Sequence, residues 1–158
     1  MARDDNRENA APAAPDLDDT MMDAARQAAQ FARVRTAQQT EKAEDYVEMI
    51  DDLINAYGEA RVVELAERFG VSHATVNKIV KRLARDGLVV SRPYRAIFLT
   101  DEGRALAAMS RTRHKIVLDF LLAIGVSARN AERDAEGIEH YVSDETLAAF
   151  ERIAAGKA

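Results

Sequence analysis

Six side chains able to hold a hard metal ion stand in three groups along this chain of 158 residues: Asp45 and Glu48, then His114, then Glu136, Glu139 and His140. Asp45 and Glu48 are one helical turn apart. Glu136, Glu139 and His140 fall at i, i+3 and i+4, one face of one helix. The donors are carboxylate oxygen and imidazole nitrogen, and the sequence contains no cysteine. Disulfides, thiolate zinc sites and iron–sulfur clusters are thereby excluded. Such a donor set suits manganese and iron(II), and zinc or nickel less well. Six donors can surround one six-coordinate ion, or two ions that share bridging carboxylates. Singly, an acidic pair at this spacing is an ordinary solvated helix face and a lone histidine an ordinary core residue. Spacing alone leaves those ordinary readings open.

These donors need elements to position them. Tyr46, Ile50, Leu53 and Tyr57 recur at i, i+4, i+7 and i+11, which predicts an amphipathic helix from residue 44 to Gly58 with Asp45 and Glu48 on its opposite flank. A second helix over 61–69 stops at Gly70, and a third, capped by Ser72, runs to about Asp86 and stops at Gly87. Two short apolar runs, 88–91 and 96–99, flank Arg92-Pro93-Tyr94-Arg95 and read as a β-hairpin with a basic tip. A long helix over 101–124 carries His114. Helices over 127–142 and 144–155 follow, the first bearing Glu136, Glu139 and His140. Residues 1–20 have the composition of a disordered tail, and 21–42 read as an N-terminal helix that forms against a partner. The fold class is mainly α: a winged helix-turn-helix DNA-binding domain over 43–100, followed by an all-helical dimerisation and metal-binding domain over 101–158.

The order helix, helix, turn, helix, hairpin is that of a winged helix-turn-helix. Its third helix offers Ser72, His73, Ala74, Thr75 and Asn77 near its start, small and polar enough to approach base edges. Lys78, Lys81, Arg82 and Arg85 are placed to meet phosphates, and Arg92 and Arg95 at the wing tip suit backbone or minor groove. The net charge of −5 is misleading, because residues 61–95 hold eight basic residues against three acidic ones. The acids gather at the N-terminus and beyond residue 130. No apolar run approaches a membrane span and the first residues lack a signal peptide's apolar stretch, so no membrane association and a cytoplasmic location are expected. Ile116, Val117, Phe120, Leu121, Leu122, Ile124, Ile138 and Val142 are assigned to a two-fold interface, with 21–42 placed against it. A di-metal enzyme is set aside because no nucleophile or separate base is legible beside the donors.

From residue 44 to about 150 the chain resembles the diphtheria-toxin-repressor family, and within it the short manganese transport regulators. The matching segments are Glu44-Asp45-Tyr46-Val47-Glu48, Val71-Ser72-His73-Ala74-Thr75-Val76-Asn77-Lys78, Arg113-His114 and Asp134-Ala135-Glu136-Gly137-Ile138-Glu139-His140. The resemblance implies that Asp45, Glu48, His114, Glu136, Glu139 and His140 bind a pair of Mn²⁺ ions per chain. Iron-responsive members carry methionine and cysteine where this chain has Asp45 and Glu136, so Mn²⁺ is expected ahead of Fe²⁺. Tyr141 departs from the pattern, since many manganese members have a second histidine there. The implied function is a homodimeric, manganese-dependent transcriptional repressor of manganese-uptake genes that binds a palindromic operator in double-stranded DNA. The alternatives are an iron-responsive or a metal-independent winged-helix regulator.

Overall fold

A computed structural model of the chain describes residues 22–91 and 96–156. The expectations for the tail over 1–20 and for Arg92 and Arg95 fall outside these residues. The chain divides into a unit ending at Arg33 and a second unit from Val34 to Ala158. The first helix, α1, runs over Ala24–Tyr57, so the two helices expected on either side of residue 43 are one. The reason is compositional: no glycine or proline occurs between residues 24 and 57, and Ala, Gln, Arg and Glu sustain helix throughout. The second unit then contains α2 (Val62–Phe69), α3 (His73–Arg85), β1 (Val89–Ser91), β2 (Ile97–Leu99), α4 (Asp101–Ala123), α5 (Ala128–Ile138) and α6 (Asp144–Ala154).

Local chemistry sets the boundaries. Arg61 N–H donates to Glu64 Oε2 at the start of α2, and Gly70 ends that helix at φ 62°, open to glycine at little cost. Ser72 caps α3 by accepting from the Thr75 N–H at 3.1 Å. β1 and β2 pair antiparallel, with Val90 opposite Phe98. Thr100 opens α4, accepting from Gly103 N–H and donating to the Gly87 carbonyl at 2.7 Å.

Two apolar cores result, and α4 belongs to both. The first gathers Val47, Ile50 and Leu53 of α1, Leu65 of α2, Val76 and Leu83 of α3, Ile97 of β2 and Ala107 of α4. Tyr46 stacks on Phe69 at its edge with ring centroids 4.3 Å apart. The second gathers Val117 and Leu121 of α4, Ala131 and Ala135 of α5 and Leu147 of α6, with Phe120 stacked on Phe150. Of the residues assigned to a dimer face, Val117 and Leu121 are buried in this second core, and Ile116, Phe120, Ile138 and Val142 are half-buried against it. Leu122 and Ile124 remain exposed.

α5 is also shorter than expected. It ends at Ile138 rather than 142, which puts Glu139 and His140 on the turn leading to α6 instead of on one continuous helical face. Arg113 of α4 explains the break. Its guanidinium donates to the carbonyls of Glu139 (2.8 Å) and Val142 (2.7 Å), which no longer need helical partners. Ser143 then caps α6.

Candidate metal centre and DNA-reading helix

A cleft of about 490 Å³ opens between α1 and the end of α5, lined by Asp45, Glu48, Glu136, Glu139 and His140 together with Glu41, Met49, Asp52, Phe69 and Gly137. Five of the six expected donors thus share one cavity despite lying about ninety residues apart in sequence. His114 joins them from α4. Its Nδ1 lies 2.6 Å from Glu139 Oε2 and 3.6 Å from Glu136 Oε1. Its Nε2 is 3.7 Å from Glu132, a carboxylate that sequence reasoning did not single out.

Glu139 is the centre of this arrangement. It is 3% exposed, with one carboxylate oxygen on His114 and the other 3.6 Å from His140 Nε2. Burial pushes its carboxyl up to about 7, against the pull of the His114 and His140 charges. His140 is held still more tightly. Its side chain is 2% exposed, its Nδ1 lies 2.6 Å from Glu44 Oε2, and its Nε2 lies 3.3 Å from Asp45 Oδ1. Burial pulls the imidazolium down, but the hydrogen bonds to Asp45 and Glu44 outweigh it, and the ring is pushed up to about 10. Glu48, beneath Asp45, is raised by burial and by its acidic neighbours Glu136 and Asp45, although Ser110 and Arg111 favour its charge.

Glu44 is the functional residue the sequence reading passed over. It is buried, on the inward side of α1, and its carboxylate fixes the imidazole plane so that Nε2 faces the cleft. A carboxylate behind a ligating histidine is the usual way proteins set tautomer and ring orientation. The available signal was its position three residues before the buried Val47: a carboxylate on an apolar stripe requires a partner.

These residues suit a divalent ion. The donors are oxygen and imidazole nitrogen, and burial of Glu139 and the carboxylate partners of His140 make both groups hold protons that a cation would displace. Arg111 braces the neighbourhood by bridging Asp51 and Asp52 of α1, each at 2.6 Å.

On the other side of the first core, α3 presents Ser72, His73, Ala74, Thr75, Asn77, Lys78, Lys81, Arg82 and Arg85 to solvent, while Val76, Val80 and Leu83 face inward. Four of these residues are partly committed to local structure. Ser72 and Thr75 share the helix cap, their hydroxyls 3.0 Å apart. Arg82 and Arg85 both reach Asp86. Lys78 and Lys81 have no ion pair among the described residues.

A winged helix-turn-helix joined through a shared helix to a carboxylate- and histidine-lined helical half defines a metal-binding, DNA-binding regulator. Residues 38–97 match the iron-dependent repressor N-terminal DNA-binding domain, and residues 100–155 match the iron-dependent repressor metal-binding and dimerisation domain. The chain belongs to the iron-dependent repressor family, that of the diphtheria toxin repressor. It is 57% identical over 120 residues to the transcriptional regulator MntR of Escherichia coli O157:H7, covering 76% of this chain and 77% of that one. To the HTH-type transcriptional regulator MntR of Geobacillus kaustophilus it is 42% identical over 104 residues, 66% of this chain and 74% of that one. Among solved structures it resembles a manganese-dependent transcriptional repressor in complex with manganese, at 32% identity and a TM-score of 0.60, over 73% of this chain and 53% of that one. It also resembles the manganese regulator SloR, at 26% identity and a TM-score of 0.63, over 73% and 54% of the two chains. The chain spans about half the length of these solved relatives. The family is one of transcriptional regulators, not enzymes, and no described helix is long and apolar enough to cross a membrane.

Proposed function

We propose that this chain is a manganese-dependent transcriptional repressor whose DNA-binding half, over 43–100, and dimerisation half, over 101–158, are locked together by ions held between them. The observation that carries the reading is the convergence of α1, α4 and the end of α5 on one cleft of carboxylates and imidazoles. We assign Asp45, Glu48, His114, Glu136, Glu139 and His140 as the donors, sufficient for two Mn²⁺ ions per chain. The bound ions supply positive charge where protons otherwise stand. Asp45 and Glu48 lie on α1, which packs α2 and α3 in the first core, whereas His114, Glu136, Glu139 and His140 lie on the dimerisation half. Without a cation, ionised carboxylates on the two sides repel across the cleft and loosen the angle between reading head and dimer. With one, the two heads of a homodimer are fixed at a spacing that suits half-sites of a palindromic operator one DNA turn apart. A coupling of about 1–3 kcal/mol changes DNA affinity roughly 5- to 150-fold. Ser72, His73, Ala74, Thr75, Asn77, Lys78, Lys81, Arg82 and Arg85 form the DNA-facing surface, with Arg92 and Arg95 of the wing. Cytoplasmic location and control of manganese-uptake genes complete the proposal.

The deciding experiment titrates Mn²⁺ into chelator-treated protein, counts bound ions by electron paramagnetic resonance, and then selects operator DNA with and without chelator. About two ions per chain and DNA binding lost on chelation are expected. DNA binding that persists in chelator points to a metal-independent regulator. Saturation by Fe²⁺ in preference to Mn²⁺ points to an iron-responsive one.

The cleft also fixes a proton linkage. His140 faces Glu41, Glu44 and Asp45 of α1 and its neighbour Glu139, while Glu139 faces His114, Glu136 and His140. With the His140 ring raised to about 10 and the Glu139 carboxyl to about 7, both hold protons near neutral pH that Mn²⁺ must displace. The raised His140 contributes stability that is full below about 6.5 and lost as pH rises through about 10. The raised Glu139 adds a penalty that sets in above its usual carboxylate range and is complete above about 7. Calorimetry in buffers of different ionisation enthalpy should therefore show proton release on Mn²⁺ binding and tighter binding at pH 8 than at pH 6. Binding independent of pH and buffer would remove His140 and Glu139 from the donor set.

The DNA surface has its own test. Lys78→Ala should weaken binding to all sequences about equally and reduce the slope of log affinity against log salt by about 1. An unchanged slope in fluorescence-anisotropy titrations would take Lys78 off the phosphates.

A further inference from the structure

Two carboxylates at the cleft have no place in the assigned donor set, Asp52, which Arg111 holds, and Glu41. Glu41 lies four residues before Asp45 and seven before Glu48, on the same stripe of α1, and lines the same cavity. Its carboxylate, that of Asp45 and a ring nitrogen of His140 each offer one atom within 4.8 Å of the other two, close enough for one ion to touch all three. An acidic residue one turn from another is ordinarily a solvated face. Two observations separate Glu41 from that case. The third member of the trio, His140, is a buried imidazole whose orientation Glu44 fixes. Moreover, Glu41 is restrained from the opposite side of the cleft: the Tyr141 hydroxyl donates to Glu41 Oε2 at 2.8 Å, across a sequence separation of 100 residues. A carboxylate has two oxygens, and a hydroxyl that takes one steadies the other for a cation.

We propose that Glu41 is a further metal ligand, held in place by Tyr141, and that with Asp45 and His140 it forms one of the ion positions of the cleft. This rests on the reading of the cleft as a manganese site and adds a residue to it. It divides the donors into two sets, Glu139 with His114 and Glu136 on one side and Glu41 with Asp45 and His140 on the other. The ion at this position is the one that Glu41 governs.

The test compares Glu41→Gln, Tyr141→Phe and Glu139→Gln with the parent by Mn²⁺ titration under electron paramagnetic resonance. Near-ultraviolet difference absorbance of tyrosine, in a chain without tryptophan, gives a second readout. Glu41→Gln should keep one ion at parental affinity and weaken the other at least about tenfold. Tyr141→Phe should weaken that same ion several-fold and remove most of the metal-induced tyrosine signal. Two ions at parental affinity in Glu41→Gln, with binding lost in Glu139→Gln, would overturn the proposal and leave the cleft a metal site. No saturable binding by the parent chain would overturn both.

Discussion

Glu139→Gln is expected to abolish the manganese response while leaving the chain folded. Glutamine keeps the volume of the buried side chain and an oxygen that can accept from the imidazoles, but not the charge that attracts a cation. Because Glu139 stands between His114 and His140, its loss affects donors from both α4 and the α5–α6 turn. Removal even of groups behind metal ligands costs about 10- to 100-fold in affinity, so losing this carboxylate should cost at least about 100-fold. Mn²⁺ should then no longer raise DNA affinity at concentrations that saturate the parent. The stability of the chelated protein should move the other way. Burial raises the Glu139 carboxyl to about 7, so its ionised form is a liability to the fold above that pH. The neutral glutamine escapes this, and at pH 8 the chelated variant should melt a few degrees above the chelated parent. A thermal-shift series with and without Mn²⁺ reads both effects. A variant that still gains parental stability from Mn²⁺ would show that the ions lie elsewhere.

That pair of opposed effects could not have been derived from the spacing of acidic residues, and the reason is instructive. Sequence periodicity placed α2, α3, the hairpin strands and α4 close to where they lie, because each is bounded by a cap or a glycine: Ser72, Gly70, Gly87, Thr100, Gly125. Helical spacing also grouped Asp45 with Glu48 and Glu136 with Glu139 and His140, and the family resemblance joined these with His114 as six candidate donors, which line or adjoin the cleft. Spacing failed where the controlling contact comes from far along the chain. α5 ends at Ile138 because Arg113 takes the carbonyls of Glu139 and Val142, and nothing near residue 138 announces that. Glu44 was given no role, because its partner His140 lies 96 residues away. Val117 and Leu121 were assigned to a dimer face, but they lie in the core that Leu147 of α6 helps to close, a contact the sequence does not announce.

The second large effect concerns the joint between the two halves rather than the ions. Gly103→Ala should destabilise the whole chain by about 3 kcal/mol or more, at the upper end of what overpacking costs. Gly103 is buried in the first turn of α4, and a methyl group there would sit 2.0 Å from the Leu88 carbonyl oxygen and 3.2 Å from Leu99 Cδ2. The oxygen cannot swing aside, because it already accepts from the Thr100 N–H at 3.0 Å, and Thr100 in turn donates to Gly87 and caps α4. Relief requires the start of α4 to move off the α3–β1 junction, which displaces the helix that carries Arg111 and His114. For a chain of this size each kcal/mol corresponds to roughly 2–4 °C, so a fall of about 6–12 °C in melting temperature is expected. Mn²⁺ should recover part of that loss, since an ion that binds only the folded state stabilises it by mass action. The comparison that decides the matter is Gly103→Ala against Glu139→Gln. The first should lose stability and keep a metal-induced rise in melting temperature, the second the reverse. If Gly103→Ala instead melts like the parent, the start of α4 yields more easily than its packing indicates, and the rigid coupling of reading head to metal centre must come from α1 and Arg111 alone.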